Sequence, residues 1–230
     1  MNKKIKVNVV KNVLQANDLV AGRNRQVFKE NKVFALNLIS SPGSGKTTLL
    51  EKTIPALKPE HKSIVIVGDL QTTRDADRLS DQAQQAVQIN TGMSCHLYAN
   101  QIAQSLSDID LKGADFVFIE NVGNMVCPGE FDLGENAKVI LLSVPEGDDK
   151  VAKYPTIFRV ADLILLTKVD LLGALDFDLK RVKEDLSKLN AKATLIELSS
   201  KTGQGMDQWL DWLKAKRTEG IGRQARFATE

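Results

Sequence analysis

Val33-Phe34-Ala35-Leu36-Asn37-Leu38-Ile39-Ser40-Ser41-Pro42-Gly43-Ser44-Gly45-Lys46-Thr47-Thr48 is the stretch that decides the fold. An apolar run of strand character gives way to a Gly/Ser turn, which opens onto Lys46 to Leu57 with apolar positions at helical spacing. A phosphate-binding loop needs this order of strand, loop and helix. Gly43 and Gly45 free the backbone to turn its N–H groups inward around a β-phosphate, and the helix N-terminus adds positive potential. Gly43, Ser44, Gly45, Lys46, Thr47 and Thr48 are therefore the expected phosphate-binding residues. Lys46 would reach the β- and γ-phosphates, and the Thr47 hydroxyl would ligate Mg²⁺. One departure is visible: Ser40 stands where the general pattern has its first glycine.

On either side of this stretch, strands alternate with helical segments, which predicts an α/β fold of the P-loop NTPase type. Its doubly wound, mostly parallel sheet is covered by helices on both faces. Apolar runs at Val33 to Ile39, Ser63 to Val67, Val87 to Ile89, Phe116 to Ile119, Val139 to Val144, Leu163 to Leu166 and Ala193 to Leu198 give about seven strands. Lys46 to Leu57, Asp75 to Gln84, Tyr98 to Leu106, Phe177 to Leu189 and Met206 to Lys216 are the predicted crossover helices. Residues 1–30 form a helical extension with an extra helix from Val10 to about Phe28. Residues 31–217 form the nucleotide-binding domain, and residues 218–230 a polar tail.

Composition narrows the function classes. The chain has 230 residues, 43% of them apolar and 26% charged, and its net charge of +2 is too small a field to favour nucleic acid or an anionic membrane as partner. No apolar run approaches the roughly 20 residues that span a bilayer, and the first residues lack the apolar stretch of a secretory signal, so a cytoplasmic location is expected. The two cysteines, Cys95 and Cys127, are too few for a disulfide framework. They fit core packing, metal binding or redox chemistry.

Thr167-Lys168-Val169-Asp170 follows an apolar strand and resembles the guanine-specificity motif of GTPases. The Asp170 carboxylate can accept two hydrogen bonds from N1–H and the exocyclic amine of guanine, whereas adenine offers an acceptor at N1 and no amine at C2. Charge-assisted bonds of this kind contribute about 1.5 to 3 kcal/mol each, which disfavours ATP and a small-molecule kinase role. Lys168 would lie along the base and ribose, and Ser200 and Lys201, in Ser199-Ser200-Lys201-Thr202-Gly203, resemble the final base-contacting loop. Thr167 replaces the usual asparagine and is expected to make fewer bonds to the base and the phosphate loop.

In the middle of the chain, Glu120-Asn121-Val122-Gly123 ends a strand at the position of Walker B and the second switch. Glu120 replaces the more common aspartate as a Mg²⁺ ligand, and Gly123 would give its N–H to the γ-phosphate. Asn124 follows where Ras-like enzymes carry a glutamine that positions the attacking water, so slow intrinsic hydrolysis is expected. Gly68 to Asp75 is the candidate first switch, with Asp69 or Asp75 near Mg²⁺. Helix capping by Asp75 and a solvated loop at Asp69 are the alternatives.

Cys95, His96 and Cys127 are possible soft or borderline metal ligands. Three ligands leave a tetrahedral site incomplete, and neighbours in a strand point to opposite faces, so Cys95 and His96 need a turn or helix start to meet one ion. A second subunit could supply the missing ligand.

The chain resembles the HypB-type hydrogenase maturation GTPases, nickel-insertion proteins of the SIMIBI class. The resemblance rests on Ala16-Asn17-Asp18, Asn24-Arg25, Ser40 to Thr48, Gly68 to Thr72, Asn90-Thr91-Gly92, Cys95-His96-Leu97, Glu120 to Pro128 and Phe131 to Glu135. It implies a GTP-hydrolysing metallochaperone with Ni²⁺ or Zn²⁺ held by Cys95, His96 and Cys127 at the interface of a homodimer promoted by GTP and metal. A HypA-like nickel metallochaperone is the implied supplier, and the large-subunit precursor of a nickel-iron hydrogenase the recipient. Departures are Met93-Ser94 where lysine and glycine are expected, Tyr98 where aspartate is expected, and residues 1–15 with neither Cys nor His, which speaks against an N-terminal nickel store. The competing readings are a urease-type nickel maturation GTPase, which places cysteine, proline and histidine consecutively, and a GTP-binding metal storage or scaffold protein with little turnover. No role follows from the sequence for Glu146-Gly147-Asp148-Asp149.

Overall fold

The computed structural model describes residues 9–69 and 74–226. Strands β1 (Phe34–Ser40), β2 (Ser63–Asp69), β3 (Gln85–Asn90), β4 (Phe116–Glu120), β5 (Ala137–Ser143), β6 (Leu163–Thr167) and β7 (Thr194–Leu198) form one sheet in the order β3-β2-β4-β1-β5-β6-β7. Every pairing is parallel. Because such a sheet is covered on both faces, its strands read as continuous apolar runs, and β1, β4 and β6 are buried end to end.

The helices are α1 (Val9–Glu30), α2 (Lys46–Leu57), α3 (Arg74–Ser80), α4 (Ala99–Asp108), α5 (Lys150–Lys153), α6 (Pro155–Arg159), α7 (Leu179–Leu189) and α8 (Met206–Arg226). Alternation along the strands divides the core into layers. On one face, Leu36, Leu38, Val65, Phe116 and Phe118 pack with Leu49, Leu50 and Ile54 of α2 and Trp209 and Leu213 of α8. The Trp209 indole N–H donates to the Thr53 hydroxyl at 2.8 Å, which satisfies its one buried polar group. On the other face, Ile64, Ile66, Val117 and Ile119 lie with Phe28 of α1 and Ile102 of α4. Ile140, Leu142 and Ile164 meet Phe158 of α6 and Val182 of α7.

The strand order reverses at β1, whose neighbours are β4 and β5. In open α/β sheets the crevice beyond the strand ends at this switch point holds the ligand, and the loop after β1 lies there.

Two expectations change. The short helices α5 and α6, between β5 and β6, are additional to the predicted ones. The predicted tail at residues 218–230 is helical through Arg226, because α8 continues past Lys216. Its extension is anchored where Arg217 pairs with Asp115 and lies 5.9 Å over the Phe116 ring, and Gly220 lies close to Phe34. Residues 70–73 of the first switch and 227–230 of the tail lie outside the described residues.

Candidate nucleotide and metal site

The loop after β1 takes the conformation its glycines allow. Gly43 and Gly45 have φ of 76° and 99°, and Gly45 immediately precedes α2. Lys46 and Thr47 open that helix and are both buried. The Lys46 ammonium donates to the Ser40 hydroxyl at 3.0 Å, so the serine standing for the first glycine of the general pattern anchors the lysine. Burial lowers the Lys46 pKa, against the opposing charges of Glu120, Asp75 and Glu146.

A cleft of about 410 Å³ opens above the loop, lined by residues including Gly43, Gly45, Lys46, Thr47, Asp69, Asp75, Glu120 and Gly123. The Thr47 hydroxyl donates to Glu120 Oε1 at 2.7 Å. Glu120 Oε2 is buried and finds no partner among the described residues. Burial raises the Glu120 pKa to about 7, outweighing Lys46 and the Thr47 bond. A hydroxyl and an orphaned carboxylate oxygen, with Asp69 on the same cleft, form a hard oxygen donor set that fits Mg²⁺. Asp75 also lines the cleft, but its carboxylate already accepts from Arg78 at 3.2 Å.

A second cleft of about 320 Å³ shares Gly43, Gly45 and Thr48 with the first and adds Thr167, Lys168, Asp170, Ser199, Ser200 and Lys201. The two guanine-motif segments, far apart in sequence, therefore meet beside the phosphate loop. Lys168, in the left-handed region at φ 59°, donates to the Gly43 carbonyl at 2.7 Å. Thr167 donates to the Ser44 carbonyl at 2.8 Å, so it keeps one direct bond to the phosphate loop. The Ser199 hydroxyl donates to Asp170 Oδ1 at 2.7 Å and orients the carboxylate.

Glu146 lies beneath the same loop, a position that sequence reasoning missed. Its Oε2 accepts from the Ser44 hydroxyl at 2.6 Å, the Ser143 hydroxyl at 2.7 Å and the Ser143 N–H at 2.8 Å. Burial pushes its pKa up, but the serine hydroxyls and that N–H prevail and hold it below the usual carboxylate range. Asp148 and Asp149 face outward to Arg181 and Lys153. The signal was local: a glutamate three residues after Ser143 is the pattern of a capping box, which the structure contains.

Cys95, His96 and Cys127 come together with their ligand atoms all within 4.8 Å of one another. The two sulfurs are 3.2 Å apart and Cys95 Sγ is 3.6 Å from His96 Nδ1. Bends at Cys95 and His96 bring both onto one side. The His96 ring lies between Tyr98 and Phe131, with centroids 4.3 and 4.1 Å away. Burial lowers its pKa, which keeps the imidazole neutral and able to donate a lone pair. The Cys127 thiol is held up, first by its hydrogen bond with Cys95 and then by burial, so a metal must displace that proton. Asn124, in the place of the Ras-like glutamine, donates to the Cys95 carbonyl at 3.1 Å.

Comparison with known proteins gives the family and the fold. Residues 34–197 match the family described as CobW/HypB/UreG, nucleotide-binding domain. The chain is 49% identical over 205 residues to the hydrogenase maturation factor HypB of Escherichia coli K12, covering 89% of this chain and 71% of that protein. It is 43% identical over 231 residues to the hydrogenase/urease maturation factor HypB of Helicobacter hepaticus, covering 99% and 94%. Among solved structures it is similar to HypB from Helicobacter pylori in complex with nickel, with a TM-score of 0.86, 42% identity, and coverage of 90% of this chain and 97% of that one.

Proposed function

The chain belongs to the CobW/HypB/UreG family as a HypB-type hydrogenase maturation factor, and we propose that it works as a GTP-hydrolysing metallochaperone whose metal site answers to the bound nucleotide. One observation carries this reading: the segment from Glu120 to Cys127 begins on the phosphate cleft and ends at the thiol pair. A nucleotide that moves Gly123 therefore has a short covalent path to a metal ligand. The relative from Helicobacter pylori, crystallised with nickel, supports that metal as the cargo.

In this reading Lys46 and the loop amides bind the β- and γ-phosphates while Asp170, Lys168, Ser200 and Lys201 select guanine. Thr47, Asp69 and Glu120 would hold Mg²⁺, which supplies charge neutralisation on the phosphate oxygens. Gly123 packs under the loop so closely that a Cβ there would lie 2.9 Å from Pro42, which leaves room only for its backbone beside the γ-phosphate position. Asn124 is turned away to the metal loop, so water positioning is weak and hydrolysis slow. GTP promotes a homodimer, metal affinity at Cys95, His96 and Cys127 changes, and hydrolysis releases nickel toward the large-subunit precursor of a nickel-iron hydrogenase. A HypA-like protein supplies the metal. The Helicobacter hepaticus relative's name joins hydrogenase to urease, so a urease apoprotein is the second recipient to assay.

The test is Cys127→Ala. It should lose at least tenfold in Ni²⁺ affinity, measured by equilibrium dialysis, while GTP affinity stays within twofold. Wild-type metal stoichiometry and affinity in the variant would refute the assigned site. Single-turnover phosphate release with and without Ni²⁺ separates a GTPase from a scaffold, since a scaffold releases no phosphate in either condition.

A further inference from the structure

Leu97, the neighbour of His96, is gripped from two sides by residues of the phosphate cleft. Its backbone N–H donates to Asn121 Oδ1 at 3.1 Å in a buried contact. Its fully buried side chain presses on Gly68 so closely that a Cβ there would lie 2.8 to 2.9 Å from Leu97 Cγ, Cδ1 and Cδ2. Gly68 and Asn121 both line the phosphate cleft, next to Asp69 and Glu120. Asn121 is not free to rotate, because its amide donates to Asn37 Oδ1 at 3.1 Å and the Asn37 amide donates to Glu135 at 3.3 Å. A closely packed interior transmits small displacements rather than absorbing them.

Resting on the nucleotide-linked metal site proposed above, we infer that Leu97 is a positioning residue that couples the first switch to the Cys95 and His96 half of the metal site. The Cys127 half follows Gly123 along the chain. Cys95 and His96 lie on a different loop, which Asn124 and Asn121 tie to that segment by hydrogen bonds. Leu97 adds a connection to the first switch, because a change that moves Gly68 moves the leucine packed against it. With both loops driven by one nucleotide, the ligand atoms shift relative to each other together, which is what changes metal affinity. A leucine that served only as core would contribute to stability and leave the two nucleotide states equally affected.

The measured quantity is the ratio of Ni²⁺ affinities of the full chain with a non-hydrolysable GTP analogue and with GDP, both in the presence of Mg²⁺. By reciprocity the same ratio appears in how Ni²⁺ shifts the analogue's affinity against that of GDP. Leu97→Ala should bring the ratio at least threefold closer to one, and Leu97→Met, which conserves volume, should restore it. Leu97→Val keeps the test available if the alanine variant does not fold, with an intermediate ratio expected. A wild-type ratio preserved in Leu97→Ala or Leu97→Val, with only the melting temperature lowered, overturns this inference alone. A ratio of one in the wild type overturns the nucleotide-linked site and this inference with it.

Discussion

Asp170 accepts the Ser199 hydroxyl on one oxygen, so its carboxylate is already oriented before a base arrives. Two charge-assisted bonds to guanine at about 1.5 to 3 kcal/mol each correspond to at least a hundredfold preference over a base that cannot donate them. Asp170→Asn should therefore weaken GTP binding by roughly that factor and improve binding of xanthosine triphosphate, whose C2 carbonyl accepts from the new amide. Fluorescence titration with both nucleotides checks it, and unchanged GTP affinity would remove Asp170 from the base site. The candidate residues at this scale were legible because they depend on residue type: Lys46, Thr47 and Asp170 each stand in a recognisable local pattern, while the two cysteines were read as ligands through the family resemblance. Glu146 was legible only in part: its capping box with Ser143 is local, but its bond from Ser44 comes from 102 positions away. The same holds for Ser40, which reads as a defect in the motif until Lys46 is seen to donate to it.

Helix α1 shows how an element outside the nucleotide-binding core serves the site. Its Asn17 accepts the Ala99 N–H at 2.9 Å and donates to the Asp132 carbonyl at 2.7 Å, while Asn24 donates to the carbonyls of Ala99 at 2.8 Å and Leu133 at 3.0 Å. Ala99 begins the helix after Cys95 and His96, and Asp132 and Leu133 follow the Phe131 that flanks His96. Helix α1 thus ties together the backs of the two loops that carry the metal ligands. The approach is close: Gly134, at φ 94°, would put a Cβ 2.6 Å from the Ala21 carbonyl oxygen. Asn24→Ala should cost about 1 to 3 kcal/mol, because it leaves buried carbonyls unsatisfied. At roughly 2 to 4 °C per kcal/mol for a chain of this size, thermal denaturation resolves it. Gly134→Ala should cost more, since strain and collision add. Nucleotide affinity should hold in both, and a loss there would mean that α1 supports the phosphate cleft as well.

The strands and α1 were readable at this element scale because burial leaves a continuous apolar signature and α1 a long helical period. Helices α5 and α6 were not, because four- and five-residue helices are shorter than any periodicity can establish. The end of α8 misled for a different reason. Its polar composition suggests a loosely held tail, yet the pairing of Arg217 with Asp115 comes from tertiary contact.

For the whole molecule, the candidate metal cluster opens to the surface through its cysteines, while His96 is buried. Cys95 is exposed, and beside the two cysteines Met93 is fully exposed and Val126 is 60% exposed. Three ligands from one chain leave a tetrahedral or square-planar ion short, whereas a two-fold axis beside the thiols would offer the same three from each copy and bury both apolar side chains. An isologous contact of this kind would let a nucleotide inside each subunit govern one shared ion, since the loops proposed to move would be the loops that meet. Size-exclusion chromatography with metal analysis tests the arrangement. With GDP the 25.3 kDa chain should elute as a monomer with little bound nickel. With a non-hydrolysable GTP analogue and Ni²⁺ it should elute at twice that mass. Val126→Glu should block that shift by bringing two like charges together at the axis, while leaving GTP affinity intact. Elution and metal content that ignore the nucleotide would reject the shared site, and a dimer that persists in Val126→Glu would move the interface elsewhere on the surface.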